Sequence, residues 1–230
     1  MNFLELANRL KVKARVTGAD MTAVTGQAAE FARLVLFINE AWMDIQMVRP
    51  DWKWMRYSMT FPTVAGQPTY TLAQIESTGT GFTNFGNWDR DTFRCYTTSV
   101  GTNDENELKW MPYDLWRDTY QMGATRNTQT RPNQFTITPA HGIGLGCTPA
   151  AGYTISGDYY KVATEMAANT DTPSLPSQFH MAIVYRAMMF YGVSESAPEI
   201  YDEGKAEFDR MMQRIINHEG VQISLGGALA

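Results

Sequence analysis

The side chains able to do chemistry in this 230-residue chain are few and scattered. Its three histidines, His141, His180 and His218, are far apart, in a predicted loop, a helix start and a helix end. None has a second ligand at metal-binding spacing or a nucleophile beside it. The run "GIGLG" at 142–146 invites a phosphate-loop reading, but no Gly-Lys-Ser/Thr follows and no helix opens after it, so it reads as a glycine-rich hairpin turn. Two acidic clusters, Asp89 with Asp91 and Asp104 with Glu105 and Glu107, have the residue types of a glycosidase pair or a calcium loop. The second lacks the glycine and the distal glutamate of such a loop and looks like a polar hairpin end. Cys95 and Cys147 have neither CxxC spacing nor the density of a disulfide scaffold, and read as reduced and packed. Trp42, Trp52 and Trp54 could stack on sugars or bases, but Trp42 is on an apolar helix stripe and the others follow a helix end, which favours core. Arg9, Lys11, Lys13 and Arg15 could meet phosphate, though four charges on a short helix more often form a solvated face. No catalytic residue, metal or cofactor is predicted.

Composition narrows the classes further. With 44% hydrophobic, 12% aromatic and 19% charged residues, the chain is globular, and its length can bury a sizeable core without crosslinks. A net charge of −5 gives no field to hold a polyanion. No segment approaches the roughly 20 apolar residues of a membrane span, so aqueous surroundings and a reducing compartment during folding are expected. The six Trp and eleven Tyr exceed what a core of this size needs, and rings with a polar tip suit protein interfaces.

The elements that must position these residues follow from periodicity. Residues 2–13 predict an amphipathic helix with Asn2 and Glu5 at capping-box spacing. Gly26–Val48 predicts a longer one, with Leu34, Ile38, Trp42 and Ile45 inward, ended by Pro50. The stretch 61–164 is rich in Thr, Gly, Asn and aromatics, and runs such as "PTYTL", "FRCYTTSV" and "YTISGDYY" predict an antiparallel sheet. A short helix is expected at Tyr113–Gly123, with polar loops at "ESTGTGFTNFGNWDRD" and "GATRNTQTRPN". From Ser174 a helix apolar on nearly every side runs to Gly192. Ser196 and Glu199, at capping-box spacing, then open a last helix whose stripe is Tyr201, Phe208, Met211 and Ile215. The expected fold class is α+β: a helical bundle from 1–61 and 165–230, with the first long helix against the two C-terminal ones. A β-rich insertion at 62–164 and an extended tail at 220–230 complete it.

The order "QAAEFARLVLFINEAWMDIQMVRPDWKWM", "GQPTYTL", "DENELKWMPYDLWRDTY", "RPNQFTITP", "YTISGDYYKVATEM" and "LPSQFHMAIVYRAMMFYG" resembles the adaptor proteins of the head-to-tail connector of tailed bacteriophages, over nearly the whole chain. The resemblance implies a structural virion protein, made in the host cytoplasm, with no active site. It implies a homo-oligomeric ring, typically of twelve copies, between the portal and the tail tube or nozzle. Genomic DNA would pass through it without sequence-specific binding, past an acidic wall. A ring needs two non-identical sticky faces, for which Trp88, Trp110, Trp116, Tyr159, Tyr160 and the apolar helix at 176–192 are candidates, unless that helix is simply buried. In such proteins the C-terminal tail often docks on the portal; here Val221, Ile223 and Leu225 alternate as a strand-addition peptide does. Two rivals remain. Exposed-looking Trp88, Trp110 and Trp116 would suit a carbohydrate- or receptor-binding module of a phage tail, and a carboxylate pair including Asp89 or Asp104 a virion hydrolase.

Overall fold

A reciprocal cap starts the chain. Glu5 N–H donates to Asn2 Oδ1 at 2.8 Å and Asn2 N–H to Glu5 Oε2 at 3.0 Å, so α1 (Phe3–Lys13) begins where the capping-box spacing puts it. The computed structural model describes residues 1–219; the tail, with Val221, Ile223 and Leu225, lies outside the described residues. The chain is α+β and divides into two compact units, Met1–Trp54 with the described residues from Ala163 onward, and Met55–Val162.

The first unit is helical. Its core is α5 (Met181–Ser194), on which α1, α2 (Ala29–Met47) and α6 (Pro198–Glu219) all pack. Three neighbours explain why α5 is apolar on every side: Ala182, Ile183, Val184, Ala187 and Met188 are all buried. The helix is consumed within its own subunit and is not a sticky ring face. Packing also differs from the expectation, since α2 rests on α5 and α1 while α6 joins the bundle through α5. Gly192 does not close α5. It sits in the last full turn, where an added Cβ would lie 2.7 Å from Tyr201 N. On α6 the stripe is Ile200, Gly204, Met212 and Ile215, and of the expected positions Tyr201, Phe208 and Met211 are only half-buried.

The Ser196–Glu199 capping box does not form either. Ser196 has φ +53°, its N–H reaches Val193 O at 3.4 Å, and Ala197 N–H reaches Gly192 O at 2.8 Å. This pair of bonds is the left-handed stop that usually carries glycine, so Ser196 ends α5. A side chain there costs about 1–2 kcal/mol, partly offset by the entropy of glycine. Ser196→Gly is therefore expected to raise the urea midpoint, by roughly 0.5–1 kcal/mol of stability.

Side-chain amides tie the irregular segments to the helices. Asn39 and Gln46, two turns apart on α2, exchange paired hydrogen bonds with the backbone of Met166 and Thr164 at 2.9–3.1 Å. Asn8 on α1 does the same with Met21. These pairs satisfy backbone groups of chain that has no sheet to join. Trp52 is fully buried, its indole N–H on Ile45 O at 3.1 Å, and Trp54 stacks between it and Trp42.

The second unit is β-rich. In chain order it contains β1 (Arg56–Pro62), β2 (Thr69–Tyr70), α3 (Leu72–Thr78), β3 (Phe85–Thr97), β4 (Asn106–Glu107), β5 (Lys109–Trp110), α4 (Tyr113–Tyr120), β6 (Gln129–Thr130), β7 (Gln134–Ile137), β8 (Ile143–Gly146), β9 (Thr148–Pro149) and β10 (Tyr153–Lys161). One sheet has the order β1-β10-β3-β4, a second β2-β8-β7-β5, and β6 pairs with β9. Most pairings are antiparallel, but β5–β7 and β6–β9 are parallel. The two larger sheets meet where Phe93 stacks on Phe135, ring centroids 4.3 Å apart.

Two glycine-rich stretches differ from the expectation. "GIGLG" is no turn: Ile143–Gly146 is β8, buried throughout, and the reversal comes earlier, at His141 with φ +60°. Part of the polar stretch after Gln74 is helical, since Thr71 and Gln74 form a capping box for α3. Beyond it Thr80 exchanges backbone hydrogen bonds with Thr60 at 2.8 and 3.1 Å. Gly79 and Gly81 let the loop come this close, because a Cβ on either would fall within 2.8 Å of a β1 carbonyl oxygen. The loop thus covers the edge of β1, which would otherwise offer unpaired N–H and C=O groups.

Candidate functional site

Alternation along β10 divides its aromatic residues between two environments. Tyr153, Ile155 and Tyr159 point inward, whereas Thr154, Ser156, Asp158 and Tyr160 point outward. Tyr159 is fully buried; its hydroxyl donates toward Gly81 O and Thr83 O and accepts from Thr83 N–H at 2.9 Å. Trp88 is 3% exposed, packed on Phe82 and Phe85, with its indole N–H on His141 O at 2.7 Å. Trp116 is equally buried, its N–H on Leu145 O at 2.9 Å. All three rings are buried inside the β unit, Trp88 and Tyr159 in its main core, and none of the three is free for a partner or a sugar, which corrects the expectation of exposed Trp88 and Trp116. Of the expected interface residues, Trp110 is 40% exposed, with the Arg90 guanidinium 4.5 Å from its ring centre, and Tyr160 is half-buried on the outer sheet face.

That outer face is polar across three strands. Register sets Arg56, Ser58 and Thr60 of β1 beside Tyr160, Asp158 and Ser156 of β10, and these beside Asn87, Asp89 and Arg94 of β3. Arg56 bridges Asp89 and Asp158 at 3.0 and 2.9 Å, and Arg94 pairs with Glu105 at 3.1 Å. Asp91 and Glu107 line the same groove and make no ion pair among the described residues. Carboxylates outnumber arginines, so the face repels polyanions.

The other acidic cluster is a structural tie. Asp104 accepts from Thr97 N–H and Oγ1–H and from Arg131 Nη1 at 2.7 Å, while Arg131 Nη2 donates to Cys95 O. The Thr97 and Arg131 hydrogen bonds hold the Asp104 carboxyl at about 2. A general acid needs the opposite shift, so Asp104 is unsuited to that role. Burial pushes the Cys95 thiol up to about 11 and raises Cys147 too, and neither resembles a nucleophile, which needs a lowered value. Among the described residues no His, Cys, Asp and Glu side chains cluster closely enough to hold a metal ion. Two of the four residues of the basic run are engaged, Lys11 buried on Asp20 at 2.9 Å and Lys13 on Glu203 at 3.2 Å, while Arg9 and Arg15 are exposed.

His180 is 1% exposed. Its Nε2 is 2.8 Å from Leu175 O and its Nδ1 2.7 Å from the Met1 amino group. Burial lowers its pKa below 6.5, so the unfolded chain binds the proton more tightly. Stability is then lost as pH falls below about 6.5, until the folded pKa is passed. Urea unfolding at about pH 7.5 and 5 is expected to show this loss in the native chain and less of it in His180→Gln, whose amide can replace both hydrogen bonds; equal slopes would refute the assignment.

What remains is a scaffold with a helical core, a polar sheet face and a few exposed rings, suited to contacts with other proteins. No helix among the described residues is long and apolar enough to cross a membrane. No curated protein matches the chain, whereas a family model described as SU10 adaptor protein matches residues 1–225. The chain therefore belongs to the SU10 adaptor protein family, a phage head–tail adaptor family of structural virion proteins.

Proposed function

We propose that this protein forms a ring, of twelve copies, between the portal and the tail tube or nozzle, and that genomic DNA passes through it. The family match over nearly the whole length carries this reading. The chemistry of the described residues supports it, because the groups able to react are tied into structure: Asp104 in its ion pair, His180 in the helical core, both cysteines raised by burial. Trp110 with Arg90, and the outer sheet face around Tyr160, are the surfaces assigned to neighbouring copies. An acidic channel wall, which a chain with a net charge of −5 can supply, would let DNA phosphates pass without sticking. Val221, Ile223 and Leu225 are assigned to the portal, where an extended tail adds main-chain hydrogen bonds and alternate side chains fill pockets.

Native mass spectrometry of the chain mixed with isolated portal rings tests the assembly. A closed ring of added subunits is expected, and persistent free monomer would overturn the reading. Removal of residues 220–230 is expected to weaken portal binding at least tenfold; unchanged binding would remove the tail from the interface.

A further inference from the structure

β3 does not run straight past β10. Ser156 pairs with Arg94 and Asp158 with Asp89, so the residues from Arg90 to Phe93 stand opposite Gly157 alone. This bulge is built in on both sides. An added Cβ on Gly157 would lie 3.1 Å from the Phe93 ring, and Thr92 Oγ1 donates to Asp89 O and accepts from Asp158 N–H, both at 2.8 Å, in place of the lost ladder. A bulge re-aims side chains, and this one turns out Arg90 and Asp91, both exposed. The Arg90 guanidinium covers the Trp110 ring. Asp91 shares a groove with Arg94, Glu105 and Glu107. Arg94 is taken by Glu105, which leaves Asp91 and Glu107 without a cation among the described residues.

The end of α1 is in the same condition with the opposite charge. Lys11 and Lys13 have partners within the subunit, whereas Arg9 and Arg15 are exposed and make no ion pair among the described residues. Val12, three residues from each, is 62% exposed. Arg15 has φ +59°, its N–H reaching Val12 O at 3.2 Å and the Val16 N–H reaching Lys11 O at 3.0 Å. That left-handed stop favours glycine, and here it carries a side chain whose fork of donors suits a carboxylate.

We infer that the groove beside the β3 bulge receives the end of α1 of the next copy, with Arg9 and Arg15 against Asp91 and Glu107, and Trp110 under Arg90 as the adjoining contact. This rests on the ring reading and specifies which two faces meet. Charge complementarity selects the occupant: a polyanion would be repelled by the groove, whereas a second copy of this chain satisfies both unpaired sets at once. Because the two patches differ, the contact is head-to-tail, the kind that closes into a ring when its rotation allows. Exposed charge pairs add modest affinity, so their main effect is to set the orientation and speed of docking.

The test uses the full chain, isolated portal rings and native mass spectrometry. Asp91→Lys with Glu107→Lys, and separately Arg9→Glu with Arg15→Glu, are each expected to raise the subunit concentration needed for ring formation at least about tenfold. Both sets of substitutions in one chain, or an equal mixture of the two variants, are expected to restore it to within about threefold of the native chain, because each reversed patch then meets its complement. All four positions are exposed, and restoration also shows that the variants fold. Native chain that forms no ring would overturn the ring reading and this inference with it. Native rings with unaffected variants, loss in only one variant, or loss that neither combination restores would each overturn the pairing of these faces and leave the ring standing.

Discussion

Trp116→Ala is expected to destabilise the β unit by about 3–5 kcal/mol, while Trp110→Ala changes its stability by less than ~0.5 kcal/mol. The two tryptophans lie six residues apart, on α4 and on the edge strand β5. Trp116 is 3% exposed, donates to Leu145 O, and rests on Gly144, where an added Cβ would lie 2.8 Å from Cζ2 of the ring. Gly146 leaves similar room, 3.0 Å from Tyr120 Cε2. β8 is thus bare where α4 crosses it, and the indole fills the space left by the missing side chains. Alanine there removes the ring, opens a cavity and strips Leu145 O of its donor, three losses in one substitution. Trp110 loses only a partly solvated contact with Arg90, and its removal is expected to appear in assembly with neighbouring copies instead of in folding. Urea titration followed by near-ultraviolet circular dichroism separates the two. Similar midpoints for both variants would show that α4 does not dock on β8 as described.

The same crossing explains why "GIGLG" has the composition of a turn and yet forms a strand. Locally, three glycines in five residues resemble a turn, and the reason for Gly144 and Gly146 lies in Trp116 and Tyr120 and for Gly142 in the Tyr70 carbonyl, all distant in sequence. The helices were more legible because their signals are local and repeat every three or four residues: Asn2 with Glu5, the buried stripe of α2, the apolar run of α5. Even there, one pattern admitted two outcomes. Ser196 and Glu199 have capping-box spacing, but Ser196 serves the helix that ends and not the one that begins. Short parallel pairings such as Lys109 with Gln134 were beyond reach, since a two-residue strand shows no alternation. For the candidate surface, more could have been read. Neighbouring residues on a strand face opposite ways, so Tyr159 and Tyr160 cannot both point outward. For Trp88, however, no local pattern distinguishes a ring that closes a core from one that awaits a partner.

Gly192→Ala and Gly204→Ala are each expected to destabilise the helical unit by about 1–3 kcal/mol, although alanine is normally favoured over glycine inside a helix by about 1 kcal/mol. The sign reverses because backbone stands where the new methyl would go. At Gly192 a Cβ would meet Tyr201 N at 2.7 Å, Tyr201 Cβ at 2.8 Å and Ala197 O at 3.0 Å; at Gly204 it would meet Met188 Cβ and Tyr185 O at 2.9 Å. A side-chain tip can swing aside, but a main-chain atom moves only with its helix, and α5 is held in place by α1 and α2 as well as by α6. The relief open to the structure is therefore displacement of α6. That movement would draw Glu219 away from Lys53 and loosen the point from which the tail starts, so both substitutions are expected to speed backbone amide exchange at Lys53 along with lowering the urea midpoint. A gain in stability from either alanine would mean that α5 and α6 are not in backbone contact at their crossing.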